Sequence, residues 1–190
     1  MKKVGVLALQ GDFEAHFKAL KNAGADPMEV RTAEDLDKVD GLVIPGGEST
    51  TMLKLLNIMD LKEPLRRFGQ SKAIFGTCAG AILLAQHVTN PEQESLHLMD
   101  IEVQRNAYGR QLDSRVVHIP TELEGGEVEA VFIRAPIIRG VSGNAKVLAT
   151  YNGDPVLVEQ GRHMVATFHP ELTGDPRVHK RFLSKIDEAA

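Results

Sequence analysis

Cys78, the only cysteine of the 190-residue chain, lies in the segment 76–80, whose sequence is Gly-Thr-Cys-Ala-Gly. An apolar run at 73–75 precedes this segment and a helix-like apolar run at 81–85 follows it, which predicts a sharp turn from a strand into a helix. Such a turn exposes a nucleophile, and the two glycines allow strained dihedral angles and close approach of a substrate. The first N–H groups of the helix would also favour a thiolate. The pattern indicates a nucleophile, although a lone cysteine is more often a small buried apolar residue.

His169 is the best candidate among the seven histidines for a base that would activate Cys78. It ends the apolar run 164–168, and open α/β sheets place their chemistry where strands end. Pro170 restricts His169 to extended dihedral angles, so Glu171 would point in the same direction as the ring. Together they would supply the nucleophile, the base and the orienting group that acyl transfer requires.

The other histidines have no predicted part in this chemistry. His163 lies on the same strand as the run before His169 and is expected to be a structural residue. His16 and His179 are predicted to lie on polar faces of helices. His87, His97 and His118 have no cysteine or carboxylate at metal-ligand spacing, and we expect no metal and no cofactor.

Backbone N–H groups near the nucleophile could stabilise the oxyanion of an acyl-transfer reaction. Ala79, directly after the cysteine, would supply one N–H. The turn 45–51, with the sequence Pro-Gly-Gly-Glu-Ser-Thr-Thr, would supply the second from Gly46 or Gly47. This turn lacks the lysine of a phosphate-binding loop, and Glu48 would repel a phosphate.

Charged residues near these turns suit a substrate that carries both charges. Glu48 would attract an ammonium group, while Arg105 and Arg134 could hold a carboxylate by bidentate hydrogen bonds. A substrate with both groups is an amino acid. Each arginine taken alone is more often a surface residue.

Alternating strands and helices in the first half predict a parallel sheet. Apolar runs at 4–9, 41–44 and 73–75 are predicted to be buried strands, and Ser49, Thr50 or Thr51 is predicted to cap the helix after the second of them. In the second half short strands dominate, and a last amphipathic helix follows residue 176. We therefore predict an α/β fold with antiparallel strands added to a parallel core. The strands predicted in the second half lie at 101–103, 115–119, 130–133, 146–150, 156–158 and 164–168.

Length and composition limit the possible classes of protein. With 43% hydrophobic residues, 25% charged residues and a formal net charge of −4, the chain has the composition of a soluble globular protein with a single domain at 1–190. Its Lys and Arg residues are scattered, which argues against nucleic-acid binding. No apolar run is long enough for a transmembrane helix or a signal peptide. We expect a cytoplasmic protein with no membrane partner.

Six segments occur in an order that resembles the glutaminase subunits of pyridoxal 5′-phosphate synthase, which are class I glutamine amidotransferases. The cysteine and His-Pro-Glu segments alone would indicate only the wider class, and the fourth and fifth segments narrow the resemblance. The segments are 9–12 (LQGD), 45–51 (PGGESTT), 75–80 (FGTCAG), 105–111 (RNAYGRQ), 132–136 (FIRAP) and 168–172 (FHPEL).

This resemblance implies a flavodoxin-like three-layer fold and a glutaminase activity. Cys78 would attack the side-chain amide of L-glutamine while His169, held by Glu171, moves protons. Gly47 and Ala79 would form the oxyanion hole. The residues that match glutamine-binding positions of the family are Gly46, Gly47, Glu48, Arg105, Ile133 and Arg134.

The resemblance also implies a protein partner. Ammonia would pass to a separate synthase subunit that assembles pyridoxal 5′-phosphate, in a complex with twelve copies of each subunit. The glutaminase would be poorly active until it docks. Residues 10–12, at the end of the first strand, are predicted to form part of the docking face.

Three alternatives stay open at this point. An amidotransferase subunit with a different ammonia acceptor would share all the hydrolytic chemistry. A cysteine peptidase or stress protein on a related fold would cleave peptides, but the residue after the nucleophile is then typically histidine, whereas here it is Ala79. A non-catalytic regulatory subunit would merely bury Cys78.

Overall fold

The structure is a computed structural model that describes residues 1–11, 13–106 and 114–189. The helices are α1 (Phe13–Asn22), α2 (Ala33–Leu36), α3 (Ser49–Ile58), α4 (Lys62–Ser71), α5 (Ala79–Leu84) and α6 (Arg177–Ala189), with a short 3₁₀ helix at Pro170–Leu172. The strands are β1 (Lys3–Leu7), β2 (Asp26–Val30), β3 (Gly41–Ile44), β4 (Ala73–Thr77), β5 (Ala85–Thr89), β6 (Met99–Gln104), β7 (Arg115–Ile119), β8 (Val128–Phe132), β9 (Ile137–Val141), β10 (Lys146–Tyr151), β11 (Asp154–Gln160) and β12 (His163–Ala166).

Within the described residues, seven strands form one sheet in the order β10-β11-β12-β4-β3-β1-β2. The five strands from β12 to β2 pair in parallel, and β11 pairs antiparallel with both β12 and β10. The predicted parallel core with added antiparallel strands is therefore confirmed. Because β3, β4 and β12 run in the same direction, the segments that follow them meet at one edge of the sheet. Those segments begin the glycine turn, the cysteine turn and the His169 segment.

Helices cover both faces of this sheet and make three layers. Successive side chains of a strand point to opposite faces. In β3, Leu42 and Ile44 enter a core that includes residues of α2, α3, α4 and α5, whereas Val43 enters a core that includes residues of α1 and α6. In β4, Ile74 enters the first of these cores and Phe75 the second. The central strands are thus buried on both sides, which explains their continuous apolar runs.

The remaining strands in the described part of the chain form two smaller sheets, β5-β6-β9 and β7-β8. The predictions missed β5 and β9, and β8 ends at Phe132, so Ile133 lies outside the strand in which it was expected. β5 follows α5 directly, so its first residue was included in the apolar run predicted to be helix. None of the helices in the described ranges has both the length and the apolar character needed to cross a membrane.

Candidate active site

Cys78 lies at a sharp turn between β4 and α5, where the sequence predicted it. Its backbone has φ 50° and ψ −106°, a conformation that costs a residue with a side chain about 1–3 kcal/mol. The Cys78 N–H donates to the carbonyl oxygen of Ala166 at 2.9 Å, which ties the turn to the end of β12. The side chain is largely buried. The surrounding strands therefore hold the thiol in a strained, fixed position.

The glycines on either side of Cys78 have a different role from the one predicted. Neither Gly76 nor Gly80 has a positive φ. A Cβ atom on Gly80 would overlap the carbonyl oxygen of Ile44, and one on Gly76 would lie 2.5 Å from backbone atoms of Gly80. The expectation of strained dihedral angles at these glycines was wrong. They allow α5 to pack tightly on β3 and β4, and the strain falls on Cys78 itself.

His169 and Glu171 form a hydrogen-bonded pair beyond the end of β12. The Nδ1 atom of His169 is 2.9 Å from Oε2 of Glu171, which lies in the short 3₁₀ helix that begins at Pro170. The backbone N–H of His169 donates to the carbonyl oxygen of Val131 at 2.8 Å, so β8 supports the segment that carries the ring. Because a carboxylate only accepts, Nδ1 carries the hydrogen and Nε2 is left for the sulfur.

The charge state of His169 depends on its two partners. Burial lowers the pKa of the ring, but hydrogen bonds with Cys78 and Glu171 outweigh burial and raise the pKa to about 10. A protonated imidazole next to a thiol is the arrangement that activates cysteine nucleophiles. The structure thus brings together the three residues that the sequence predicted as nucleophile, base and orienting group.

The glycine turn after β3 packs directly against this pair. A Cβ atom on Gly46 would lie 2.8 Å from Cε1 of His169 and 3.5 Å from Cβ of Cys78. Gly47 has φ 150°, which favours glycine. A side chain on Gly46 would have to displace His169, and one on Gly47 would collide with Gln10, so the two glycines allow the turn to pack closely against its neighbours.

Gln10 and Gly11 hold this turn from the end of β1. The Oε1 atom of Gln10 accepts from the N–H of Glu48 at 2.9 Å. The carbonyl oxygen of Gly46 lies so close to Gly11 that a Cβ atom there would overlap it. Part of the predicted docking segment therefore supports the turn beside the thiol, while Asp12 lies outside the described residues.

Glu48, and none of the three hydroxyl residues predicted for this role, is the N-cap of α3. Its carboxylate accepts from the N–H groups of Thr50 at 3.2 Å and Thr51 at 2.7 Å. These are the second and third residues of the helix, whose N–H groups an N-cap side chain ordinarily satisfies. Burial raises the pKa of Glu48, but hydrogen bonds from Thr51 and Thr50 outweigh it and lower the pKa.

Arg105 lies beside Glu48, so opposite charges meet next to the glycine turn. Its Nη2 atom donates to Oγ1 of Thr50 at 2.7 Å and is 3.6 Å from Oε1 of Glu48. The ammonium and carboxylate groups of an amino acid are one carbon apart, so an acid and a guanidinium at this separation match both. Thr50 was not predicted as a binding residue, because its contact with Arg105 joins distant parts of the chain.

The other predicted binding residues are more peripheral. Ile133 is 37% exposed, and Arg134, with φ 46°, is exposed. Across residues 1–11, 13–106 and 114–189, no hydrogen bond or ion pair joins Arg134 to Cys78 or His169. Residues 107–111 of the arginine-rich segment lie outside the described residues.

Comparison with known proteins identifies the family. Residues 6–188 match the SNO glutamine amidotransferase family. The chain belongs to this family. The relationship covers almost the whole sequence, so this glutamine amidotransferase is distinguished from the peptidase and stress-protein alternative.

Individual relatives of this glutamine amidotransferase agree with that assignment. It is 61% identical over 192 residues to the pyridoxal 5′-phosphate synthase subunit PdxT of Solibacter usitatus, covering 98% of this chain and all of that protein. A solved structure of a glutamine amidotransferase has a TM-score of 0.90 at 46% identity, covering 97% of this chain and 98% of that one. The glutaminase domain of CTPS from Trypanosoma brucei shares the fold, with a TM-score of 0.63 at 13% identity over 100% of this chain and 94% of that one.

Two histidines near the triad of this glutamine amidotransferase were placed wrongly by the sequence prediction. His16 and His179 were expected on polar helix faces, but both are fully buried. His16 lies three residues after Phe13 and four before Leu20, so helical spacing alone places it on the apolar side of α1. That spacing is the signal that could have identified it.

Proposed function

We propose that this glutamine amidotransferase hydrolyses L-glutamine through Cys78, His169 and Glu171, and delivers the ammonia to a separate pyridoxal 5′-phosphate synthase subunit. The observation that carries this proposal is the position of His169, whose Nδ1 is 2.9 Å from the Glu171 carboxylate and whose ring lies, with Cys78, against the same glycine, Gly46. A histidine between a nucleophile and an orienting carboxylate supports acyl transfer.

In the first step, Sγ of Cys78 attacks the side-chain amide carbon of glutamine while the thiol proton is held on Nε2 of His169. The π electron pair moves to the amide oxygen, and the N–H groups of Gly47 and Ala79 stabilise the resulting oxyanion. Ala79 supports this role because it is the first residue of α5, so its N–H has no acceptor within the helix. The carbonyl oxygen of Gly46 faces Gly11. In a trans peptide the C=O and the N–H point in opposite directions, so the N–H of Gly47 points away from Gly11.

In the second step, His169 gives its proton to the leaving nitrogen as the carbon–nitrogen bond breaks. Ammonia and a glutamyl thioester on Cys78 are formed. His169 then takes a proton from water, whose oxygen attacks the thioester carbon. Glutamate leaves and the thiol is regenerated. Glu171 keeps the ring of His169 oriented through both steps.

Substrate recognition follows from the charges beside the turn. Glu48 and Arg105 bind the ammonium and carboxylate groups of glutamine. Gly46 and Gly47 allow the side-chain amide to approach the thiol, and Ile133 and Arg134 form the outer wall of the site. Among these, the Glu48–Arg105 pair has the strongest support, because the two side chains are 3.6 Å apart.

The partner is proposed from the relatives. A protein 61% identical to this chain is a pyridoxal 5′-phosphate synthase subunit, which supports a synthase subunit as the partner. We assign residues 1–190 as a single glutaminase domain, and the complex with twelve copies of each subunit stays a prediction from the resemblance. The segment 10–12 forms part of the docking face, and Gln10 is suited to this because it also holds Glu48. Both subunits are assigned to the cytoplasm, where a catalytic thiol stays reduced.

Mixing experiments test this function. Purified chain is incubated with glutamine, with and without a pyridoxal 5′-phosphate synthase subunit, and ammonia is measured. A large rise on mixing, absent for Cys78→Ala and His169→Ala, is expected. Recovery of a synthase from another pathway as the co-purifying partner would contradict the proposed acceptor. Failure of a glutamine-analogue electrophile to label Cys78 in the complex would favour a non-catalytic subunit.

A further inference from the structure

A buried polar network contacts Glu171 of the triad. His16 of α1 has its Nε2 atom 3.5 Å from Oε2 of Glu171 and 3.2 Å from Oγ1 of Thr77. Its Nδ1 atom is 3.1 Å from Nε2 of His179 in α6. Each of these three neighbours of His16 is buried. One ring therefore joins the orienting carboxylate, the residue before Cys78 and a second histidine.

We propose that His16 is a positioning residue of the glutaminase, which fixes the Glu171 carboxylate through an N–H at Nε2 while His179 fixes His16. This inference rests on the proposed function. Under this proposal α1 and α6, which pack on one face of the sheet, support the triad through His16 and His179. The reaction steps described above do not require this support.

The charge states of the two histidines support one arrangement of protons. Burial, together with His179 and His169, lowers the pKa of His16 well below its usual value. Burial lowers the pKa of His179 to about 4. Both rings are therefore neutral near pH 7, and each has a single N–H.

The neighbours of His16 decide which nitrogen carries its hydrogen. The Nε2 atom of His16 faces two oxygens, Oγ1 of Thr77 at 3.2 Å and Oε2 of Glu171 at 3.5 Å. A carboxylate only accepts and a hydroxyl can accept, so an N–H at Nε2 serves both oxygens while Nδ1 accepts from His179. His179 then keeps a lone pair on Nδ1, and that atom has no partner among the described residues. The opposite arrangement would bury an unpaired N–H on His179 and turn the Nε2 lone pair of His16 toward a carboxylate. Both contacts are unfavourable.

Glu171 has few other means of holding its orientation. Its Oε1 atom is buried without a hydrogen-bond partner among the described residues, so the side-chain contacts are concentrated on Oε2. That oxygen faces Nδ1 of His169 at 2.9 Å and Nε2 of His16 at 3.5 Å. Removing His16 would free the carboxylate to rotate, and His169 would lose its fixed tautomer and direction.

Two substitutions of His16 separate positioning from simple filling of the core. In His16→Gln the amide nitrogen reaches the place of Nε2 and keeps the donor to Glu171. In His16→Asn the shorter amide keeps only a partner for His179. In the complex with the synthase subunit, we expect His16→Gln to keep kcat within about threefold and His16→Asn to lower it about 10–100-fold. KM for glutamine should change little, because Glu48 and Arg105 are untouched.

His163 offers the matched control. It is also buried, with a pKa that burial lowers to about 4, but its Nδ1 accepts from the backbone N–H of Ile74 at 3.2 Å, four residues before Cys78. His163→Gln should reduce the free energy of unfolding and leave kcat unchanged. Equal kcat for both His16 variants, whether reduced or normal, would overturn the proposal.

A spectroscopic readout on the unmodified protein covers the case in which the variants do not fold. In the ¹⁵N spectrum of histidine-labelled protein at pH 7, the proposal predicts that His16 is protonated at Nε2 and unprotonated at Nδ1. The opposite tautomer, or a doubly protonated ring, would contradict it. If Cys78→Ala kept its glutaminase activity the proposed function itself would fail, so the two failures are distinguishable.

Discussion

At the scale of single residues, Glu171 controls how His169 is used. Its Oε2 atom fixes the hydrogen on Nδ1 of His169 and contributes to the raised pKa of that ring. A neutral amide at this position would keep the shape but could present an N–H to Nδ1, which would favour the wrong tautomer. The catalytic effect of Glu171 should therefore depend on its charge and not on its size.

Glu171→Gln is expected to lower kcat for glutamine hydrolysis by about two to four orders of magnitude, with a much smaller change in KM. Ammonia release by the complex measures both constants. Glu14→Gln, on an exposed part of α1, is the control and should behave like the unmodified protein. A Glu171→Gln variant with normal kcat would show that the carboxylate has no part in the reaction.

The sequence identified the triad because each member has a local signal. Glycines and apolar runs flank Cys78, and Pro170 separates His169 from Glu171 at the end of a strand. The contact between His16 and Glu171 has no such signal, because it joins α1 to a segment far along the chain. Thr50 beside Arg105 was missed for the same reason.

At the scale of elements, the tight packing of α5 on β3 and β4 fixes the direction of the thiol. Gly80 faces the carbonyl oxygen of Ile44 with no space for a Cβ atom. The buried parallel core was predictable because strands buried on both faces are continuously apolar. β5 and β9 were not predicted, since short strands of mixed polarity depend on pairing with distant partners.

Gly80→Ala should lower the free energy of unfolding by about 1–3 kcal/mol, because α5 must move away from β3 to accept the methyl group. Glutaminase activity of the folded variant should also fall, since the same movement displaces Cys78. Urea denaturation and ammonia release measure the two effects. Gly174→Ala is the control: nothing lies within 4 Å of a Cβ atom there, so its stability should change by less than about 0.5 kcal/mol. Equal stability of the two variants would contradict the packing argument.

At the scale of the whole molecule, buried neutral histidines make the fold sensitive to acid. Burial is the main cause that lowers the pKa of His16, His163 and His179, the latter two to about 4. Below the unfolded value near 6.5 the unfolded chain takes up protons that the folded chain does not. Stability therefore falls as pH decreases from 6.5 toward 4. His169, with its raised pKa, acts in the opposite direction, but this effect fades below the unfolded value near 6.5 because the residue is then protonated in both states.

The expected slope is up to about 1.4 kcal/mol per pH unit for each of these histidines. Urea denaturation at a series of pH values between 7.5 and 4.5 measures it. His163→Leu should reduce the slope by up to about 1.4 kcal/mol per pH unit, which corresponds to one proton, whatever its effect on stability at pH 7. A free energy of unfolding that stayed constant or rose between pH 6.5 and 4.5 would contradict the neutral state of these rings.

The proposed reaction requires that Cys78 becomes acylated by glutamine. The most direct measurement is the intact mass of this chain in the synthase complex, quenched with acid during turnover and followed by peptide mapping. We expect an added mass equal to glutamine minus ammonia, located on Cys78 and absent in Cys78→Ala. The adduct should increase in Glu171→Gln if hydrolysis of the thioester is slowed more than its formation. Ammonia release that continues in Cys78→Ala, or an adduct on another residue, would contradict it.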